Sequence, residues 1–183
     1  MEGEETGRDV GSFLDQYLPE LAAEPREKLN KLAALHERYR ERARLSSALS
    51  AEAYVVHLVL DSLKLAELAP PAGGEAVADV GSGGGYPGLP LAIIREDLAV
   101  TLIEPAPRKA EYLRLAAEEL ALANVAVEGR PAQELPSESF DLACSKALAG
   151  SEIALKLMLP LVRRGGRAVL FRGDFSEGAL ASL

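Results

Sequence analysis

Apolar positions recur at helical spacing along the N-terminal part of the chain. Leu14, Tyr17, Leu18 and Leu21 mark one face over residues 10–22, and Leu29, Leu32, Leu35 and Tyr39 mark another over residues 25–44. A three-to-four residue period predicts two helices. Pro19 and Pro25 put the break between or near them, because proline lacks a donor and clashes inside a helix. A third helix is predicted to start after Ser50, an N-cap residue type, and to run to about Leu68 before Pro70-Pro71 stops it.

From Glu75 the pattern changes to short apolar runs alternating with longer amphipathic ones. Ala76–Val80, Ala99–Ile103, Val125–Val127, Asp141–Cys144 and Arg167–Phe171 read as strands. Between them, Pro87–Arg95, Arg108–Leu120 and Ser151–Leu161 read as helices. Such alternation implies parallel pairing with right-handed crossovers. The expected fold class is α/β: a doubly wound, Rossmann-like sheet with an N-terminal helical extension. The expected division is a helical segment over 1–72 and the α/β domain over 73–183.

Composition narrows the function classes. Of 183 residues, 48% are hydrophobic and 26% charged, the balance of a globular chain. No apolar run is long enough to span a bilayer, and residues 1–8 are acidic rather than basic-then-apolar, so neither membrane insertion nor export is expected. The single cysteine, Cys144, has no disulfide or metal-ligand partners, which fits a reducing compartment and a cytoplasmic, metal-free protein. A net charge of −8 argues against gripping nucleic acid through bulk electrostatics. One local exception is Arg26–Arg44, where Arg26, Lys28, Lys31, Arg38, Arg40, Arg42 and Arg44 outnumber Glu27, Glu37 and Glu41. It reads either as a solvated helix face or as an RNA-positioning surface.

The run Asp79-Val80-Gly81-Ser82-Gly83-Gly84-Gly85-Tyr86-Pro87-Gly88 joins the first predicted strand to its helix. In a doubly wound sheet that junction is where ligands bind. Gly83, Gly85 and Gly88 also satisfy the dinucleotide spacing, so glycines alone leave two cofactors open. Two acids shift the balance. Asp79 precedes the first glycine, where a carboxylate suits the amino-acid end of a cofactor and not a pyrophosphate. Glu104 ends the second strand, where an acid can accept from ribose hydroxyls. Together they favour S-adenosylmethionine over a nicotinamide.

The same run, continued through Leu89-Pro90-Leu91-Ala92-Ile93, resembles the signature of the bacterial small-subunit ribosomal RNA guanine methyltransferase family called RsmG or GidB. The resemblance extends to His57-Leu58-Val59-Leu60-Asp61-Ser62, to Val100-Thr101-Leu102-Ile103-Glu104 followed by Arg108-Lys109, to Phe140–Ala147 and to Leu159–Arg172. It covers most of residues 28–173. It implies methyl transfer from S-adenosylmethionine to ring nitrogen seven of a guanine in small-subunit (16S) ribosomal RNA, naked or in a ribosomal particle; a monomer is expected. It implies that Gly81 and Tyr86 line the cofactor pocket, with Ala132 and Gln133 beside the adenine; Ser82, Gly83 and Gly85 are the further cofactor-binding candidates of the loop.

Three departures from the family pattern stand out. Lys146 replaces arginine in a Ser-Arg-Ala motif, read here as Ser145-Lys146-Ala147; Gln133 replaces glutamate; and Arg44-Leu45-Ser46-Ser47 replaces Asn-Leu-Thr. Lysine and arginine are not equivalent at a bidentate site. Family members also continue with two more strands, whereas this chain stops at Leu183.

Guanine nitrogen seven carries a free lone pair, so its methylation needs alignment more than a base. The sequence agrees, since no Asn/Asp-Pro-Pro-aromatic element follows the fourth strand. Cys144 lies in an apolar run and reads as a buried small hydrophobe rather than a nucleophile. His36 reads as surface or core filler, and Tyr17 and Tyr39 read as packing residues rather than base-stacking ones. Lys146, His57 and Asp61 are the candidate catalytic residues, with His57 and Asp61 four apart on one predicted helical face. For that pair a structural tie and a role near substrate both stand open. Two further classes remain beside the RNA enzyme: a cofactor-binding relative without catalysis, and a small-molecule methyltransferase.

Overall fold

The computed structural model describes residues 9–45, 50–146 and 151–171. Residues 1–8, Ser46, Ser47, Ala147 and the chain from Arg172 onward, all weighed above, lie outside the described residues. Five parallel strands form the sheet: β1 (Ala76–Val80), β2 (Ala99–Ile103), β3 (Val125–Glu128), β4 (Phe140–Lys146) and β5 (Val162–Phe171). Their order is β3-β2-β1-β4-β5. The chain moves outward from β1 in one direction, then crosses back to β4. The switch point therefore falls between β1 and β4, where a doubly wound sheet opens a crevice at its carboxyl edge.

Helices α1 (Val10–Tyr17), α2 (Ala23–Ala43), α3 (Ala51–Tyr54) and α4 (Asp61–Leu68) precede the sheet, and α5 (Gly88–Ile94), α6 (Pro107–Glu119) and α7 (Ser151–Met158) connect its strands. Successive residues of a strand face opposite sides. Val77, Val100, Leu102 and Leu142 join one apolar cluster with Leu14, Leu29, Leu32 and Leu65 of the N-terminal helices. Ala78, Val80, Ile103 and Ala143 join another with Ala154 and Met158 of α7. The N-terminal helices thus cover one sheet face, sharing a core with it. Each fully buried leucine there contributes about 1.5–3 kcal/mol.

Several predicted boundaries shift. Helix α1 ends at Tyr17 rather than residue 22, with Pro19 beyond it. Pro25 does not break a helix: it sits in the first turn of α2, where an amide would have no intrahelical partner. The predicted third helix does start at Ser50, whose Oγ accepts the Ala53 amide at 3.2 Å. It is interrupted by a π-helical stretch, Val55–Leu60, before α4 resumes. The last predicted helix tightens into a 3₁₀ turn, Leu159–Leu161, that contains Pro160. Strand β5 begins at Val162, earlier than expected, through an exposed Arg163-Arg164-Gly165 stretch and a register shift against β4.

Candidate functional site

The loop after β1 is built by its neighbours. Val80 pairs with Ile103, so the carboxyl ends of β1 and β2 lie level. The Gly81 and Ser82 amides both donate to the Ile103 carbonyl, at 2.8 and 3.1 Å. The Ser82 hydroxyl donates to the Asp79 carbonyl at 2.8 Å, and the Ser145 hydroxyl of β4 donates to the Val80 carbonyl at 2.7 Å. Gly85 has φ +92°, and a Cβ there would come within 2.8 Å of Leu89 Cγ. Only glycine fits both the left-handed backbone and the close approach of α5. A cis peptide joins Tyr86 to Pro87.

Glu104, 6% exposed, closes the loop from the side. Its Oε2 accepts the Gly83 amide and its Oε1 the Ala106 amide, both at 2.9 Å. A carboxylate has about four lone-pair sites, so two remain for a ligand.

Above this loop lies a cavity of about 520 Å³. Residues 81–84, Tyr86 and Glu104 form one wall, and Arg44, Leu58, Lys109 and Lys146 line the rest. Lys146 Nζ donates to the His57 carbonyl and reaches Asp61 Oδ2 at 3.3 Å. Burial pulls the Lys146 ammonium below its ordinary pKa, opposed by the neighbouring Asp61. The volume suits a cofactor-sized molecule.

The family model described as rRNA small subunit methyltransferase G matches residues 25–182. The chain belongs to this family. A ribosomal RNA small subunit methyltransferase G from Sorangium cellulosum is 41% identical over 128 residues, covering 67% of this chain and 54% of the relative. One from Rubrobacter xylanophilus is 34% identical over 172 residues, covering 91% of this chain and 66% of the relative. The chain therefore spans between about half and two thirds of the length of these methyltransferase G relatives. Among solved structures, a putative S-adenosyl-L-methionine-dependent methyltransferase from Methanococcus maripaludis superposes with a TM-score of 0.56 at 11% identity, covering 100% of this chain and 72% of that one. A SAM-dependent methyltransferase from Geobacter sulfurreducens, in complex with S-adenosyl-L-homocysteine, gives 0.50 at 22% identity, covering 61% and 47%. At those identities the likeness establishes the shared fold.

Within the methyltransferase G pattern, the sequence-predicted residues divide into two sets. Gly81, Ser82, Gly83, Tyr86, Glu104 and Lys146 meet at one cavity. Asp79 does not line it. It is wholly buried beneath the loop, where Oδ2 accepts the Gly88 amide at 3.0 Å at the start of α5, and Oδ1 has no hydrogen-bond partner. Burial pushes its carboxyl up to about 7, against the pull of the Gly88 amide. Gly88 is fixed by this contact, since a Cβ would come within 2.8 Å of Asp79 Oδ2. Ala132 and Gln133 sit on a 3₁₀ turn, Ala132–Glu134, outside the cavity lining, Ala132 buried and Gln133 exposed. Gly85 shapes the loop from below, against α5.

His57 and Asp61 do not share a regular helical face. The π-helical turn carries His57, whose side chain is exposed and whose backbone carbonyl, not its imidazole, meets Lys146. Asp61 directs its carboxylate to Lys146 and Lys64, at 3.3 and 3.6 Å. Cys144 is fully buried, its thiol 3.4 Å from the Ala78 carbonyl, and burial pushes its pKa well up, as fits a packed hydrophobe.

The basic helix is largely occupied internally. Arg26 pairs with Asp15, Lys28 with Glu24 and Glu96, and Lys31 with Glu119, tying α2 to α1 and to the sheet domain. Sequence reasoning passed over Arg44, Leu58 and Lys109 as cavity-lining residues. It also passed over Tyr54, whose hydroxyl bonds that of Tyr86. Their adjacency to the named motifs was the available signal.

Proposed function

We propose that the chain binds S-adenosylmethionine at the loop of residues 81–84 and transfers its methyl group to nitrogen seven of a guanine in small-subunit ribosomal RNA, in the cytoplasm where ribosomes assemble. One observation carries this reading: a single cavity joins the glycine loop, the Glu104 carboxylate and the Lys146 ammonium. Family membership supports the substrate class.

The residues present fit the cofactor. Glu104 keeps two lone-pair sites for ribose hydroxyls after serving two backbone amides. The glycines of the loop present backbone without a Cβ in the way. Asp79, buried below, holds the loop to α5. Bound there, the cofactor supplies a methyl group activated on a sulfonium.

The chain's own work is orientation. Nitrogen seven of guanine needs no base to release its lone pair, so alignment supplies the rate. Lys146 has three donors; one meets the His57 carbonyl and one Asp61, which leaves one for a substrate oxygen. The guanine O6 beside nitrogen seven is the common partner of such a cation. The pairing with Asp61 fixes the ammonium at the cavity wall.

The test is transfer of labelled methyl from S-adenosylmethionine to small-subunit RNA or particles by the full chain, with the modified base identified by digestion. Label at guanine nitrogen seven is expected. Cofactor binding without transfer to any RNA would leave a binding protein, and transfer to free metabolites alone would make it a small-molecule enzyme.

A further inference from the structure

His36, on α2, lies behind the wall of the cofactor cavity. It is 4% exposed, and neither ring nitrogen has a hydrogen-bond partner. Its imidazole packs directly on the glycine loop: a Cβ on Gly84 would come within 3.0 Å of His36 Cε1 and 3.3 Å of Nδ1. The ring centroid stands 5.6 Å from that of Tyr86, 6.1 Å from Tyr54 and 6.5 Å from Tyr112. Gly84 and Tyr86 both line the cofactor cavity. The imidazole therefore joins the N-terminal helices to two residues of the pocket wall.

The cluster offers no counter-charge to hold a proton on this ring. Tyr54 from α3, Tyr86 from the glycine loop and Tyr112 from α6 are the titratable groups that face it, and burial pushes all three phenols up, so they stay neutral. On α2 itself Glu37 and Arg40 act in opposite directions, and they pair with each other at 3.3 Å. Helix α5, also packed on α2, carries no titratable side chain, and Asp15 of α1 pairs with Arg26 near the start of α2. Burial, the largest influence, holds the imidazole below its ordinary 6.5. A buried imidazolium without an acceptor is costly, whereas the neutral ring packs as a flat, weakly polar group. Uptake of a proton therefore favours an arrangement in which the ring leaves the cluster, and Gly84 and Tyr86 lose their support.

We propose that His36 is a positioning residue of the cofactor site: its neutral imidazole holds Gly84 and Tyr86 in the binding-competent arrangement, and its protonation releases them. The inference rests on the S-adenosylmethionine reading above. Linkage fixes the sign. Binding selects the state in which His36 is neutral, so it expels a proton below about pH 6.5, and affinity falls as pH falls through that window. Asp79, beneath the same loop, titrates in an overlapping range, near about 7. The share of His36 is therefore the difference between wild type and variants of His36 alone.

The experiment titrates the full chain calorimetrically with S-adenosylmethionine at about pH 7.5 and about pH 5.5, on either side of the ordinary imidazole value. Two buffers of different ionisation heat count the protons released. Wild type is expected to bind about three- to tenfold more weakly at the lower pH, with proton release on binding. His36→Ala leaves the wall unsupported and is expected to bind about tenfold more weakly at both pH values. His36→Leu refills the space without titrating. It is expected to recover affinity at the upper pH to within about threefold of wild type, and to lose most of the pH dependence and proton release. A wild-type affinity that moves by less than about twofold, or a His36→Leu profile parallel to wild type, overturns the proposal and leaves the cofactor reading intact. The free chain gives a second readout. It has two histidines, His36 and the exposed His57, so proton resonance separates a buried imidazole from an exposed one. A Gly84 amide signal that follows the His36 titration supports the coupling, and one that ignores it overturns the proposal. A wild type that binds no S-adenosylmethionine removes the cofactor reading, and the Gly84 signal alone then decides whether His36 controls the loop.

Discussion

Replacing Glu104 with glutamine tests the loop and the cofactor together. The two carboxylate oxygens each accept one backbone amide, from Gly83 and Ala106, at 2.9 Å and at 6% exposure of the residue. Glutamine offers one acceptor oxygen, so its NH2 group faces one of these amides donor to donor. The loss of one hydrogen bond to a charged acceptor is about 1.5–3 kcal/mol, and the stranded amide adds to it. A net destabilisation of about 2–3 kcal/mol corresponds to about 5–10 °C in Tm for a chain of 183 residues. The same change removes the charge that would accept from the ribose, so S-adenosylmethionine affinity is expected to fall by about ten- to a hundredfold. Thermal melts followed by circular dichroism give the first quantity, and calorimetric titration gives the second. A Tm within 1 °C of wild type, as an estimate set by about 0.3 kcal/mol, would refute the hydrogen-bond argument. A lowered Tm with unchanged cofactor affinity would reduce Glu104 to a staple of the loop.

Three other outcomes follow from the same geometry. Gly85→Ala adds a Cβ against Leu89 at a φ of +92°, so a loss of about 2–4 kcal/mol is expected in urea unfolding, together with loss of cofactor binding. Asp79 is held up to about 7 against an ordinary 3.8. The unfolded chain therefore ionises first, and stability falls as pH rises from about 4 to about 7, by an amount on the order of 4 kcal/mol. Asp79→Asn should flatten the dependence of Tm on pH across that window, measured without cofactor, and an unchanged profile would contradict the burial argument. Lys146→Met should cut methyl transfer at least tenfold while S-adenosylmethionine affinity moves by less than threefold, as rough bounds from the loss of one charged hydrogen bond to substrate. Equal loss of both would place Lys146 on the cofactor instead.

Much of the sheet was legible because parallel strands covered on both faces read as near-continuous apolar runs, as in Ala76–Val80, broken by Asp79, and Ala99–Ile103, broken by Thr101. Strand β5 was only half legible, since its first residues, Val162-Arg163-Arg164-Gly165, lie at the edge and carry no apolar run to detect. The positions of the glycine loop and of Glu104 at the carboxyl ends of β1 and β2 were legible because each follows a recognisable strand. Asp79 shows the limit of that logic: the motif puts an acid beside the loop, but strand alternation turns its side chain under the loop toward α5. The π-helical turn at Val55–Leu60 left no mark in the apolar spacing, and its partner Lys146 lies 89 residues from His57. His36 is buried at 4% exposure among Tyr54, Tyr86 and Tyr112, a cluster assembled from α2, α3, the glycine loop and α6. Contacts of that kind are set by tertiary packing, which no local pattern encodes.

Whether the loop after β1 holds S-adenosylmethionine is read most directly by calorimetric titration of the chain with that cofactor, with NADH as the control. One saturable site for S-adenosylmethionine and no heat from NADH are expected. Binding of NADH, or of neither molecule, would contradict that reading.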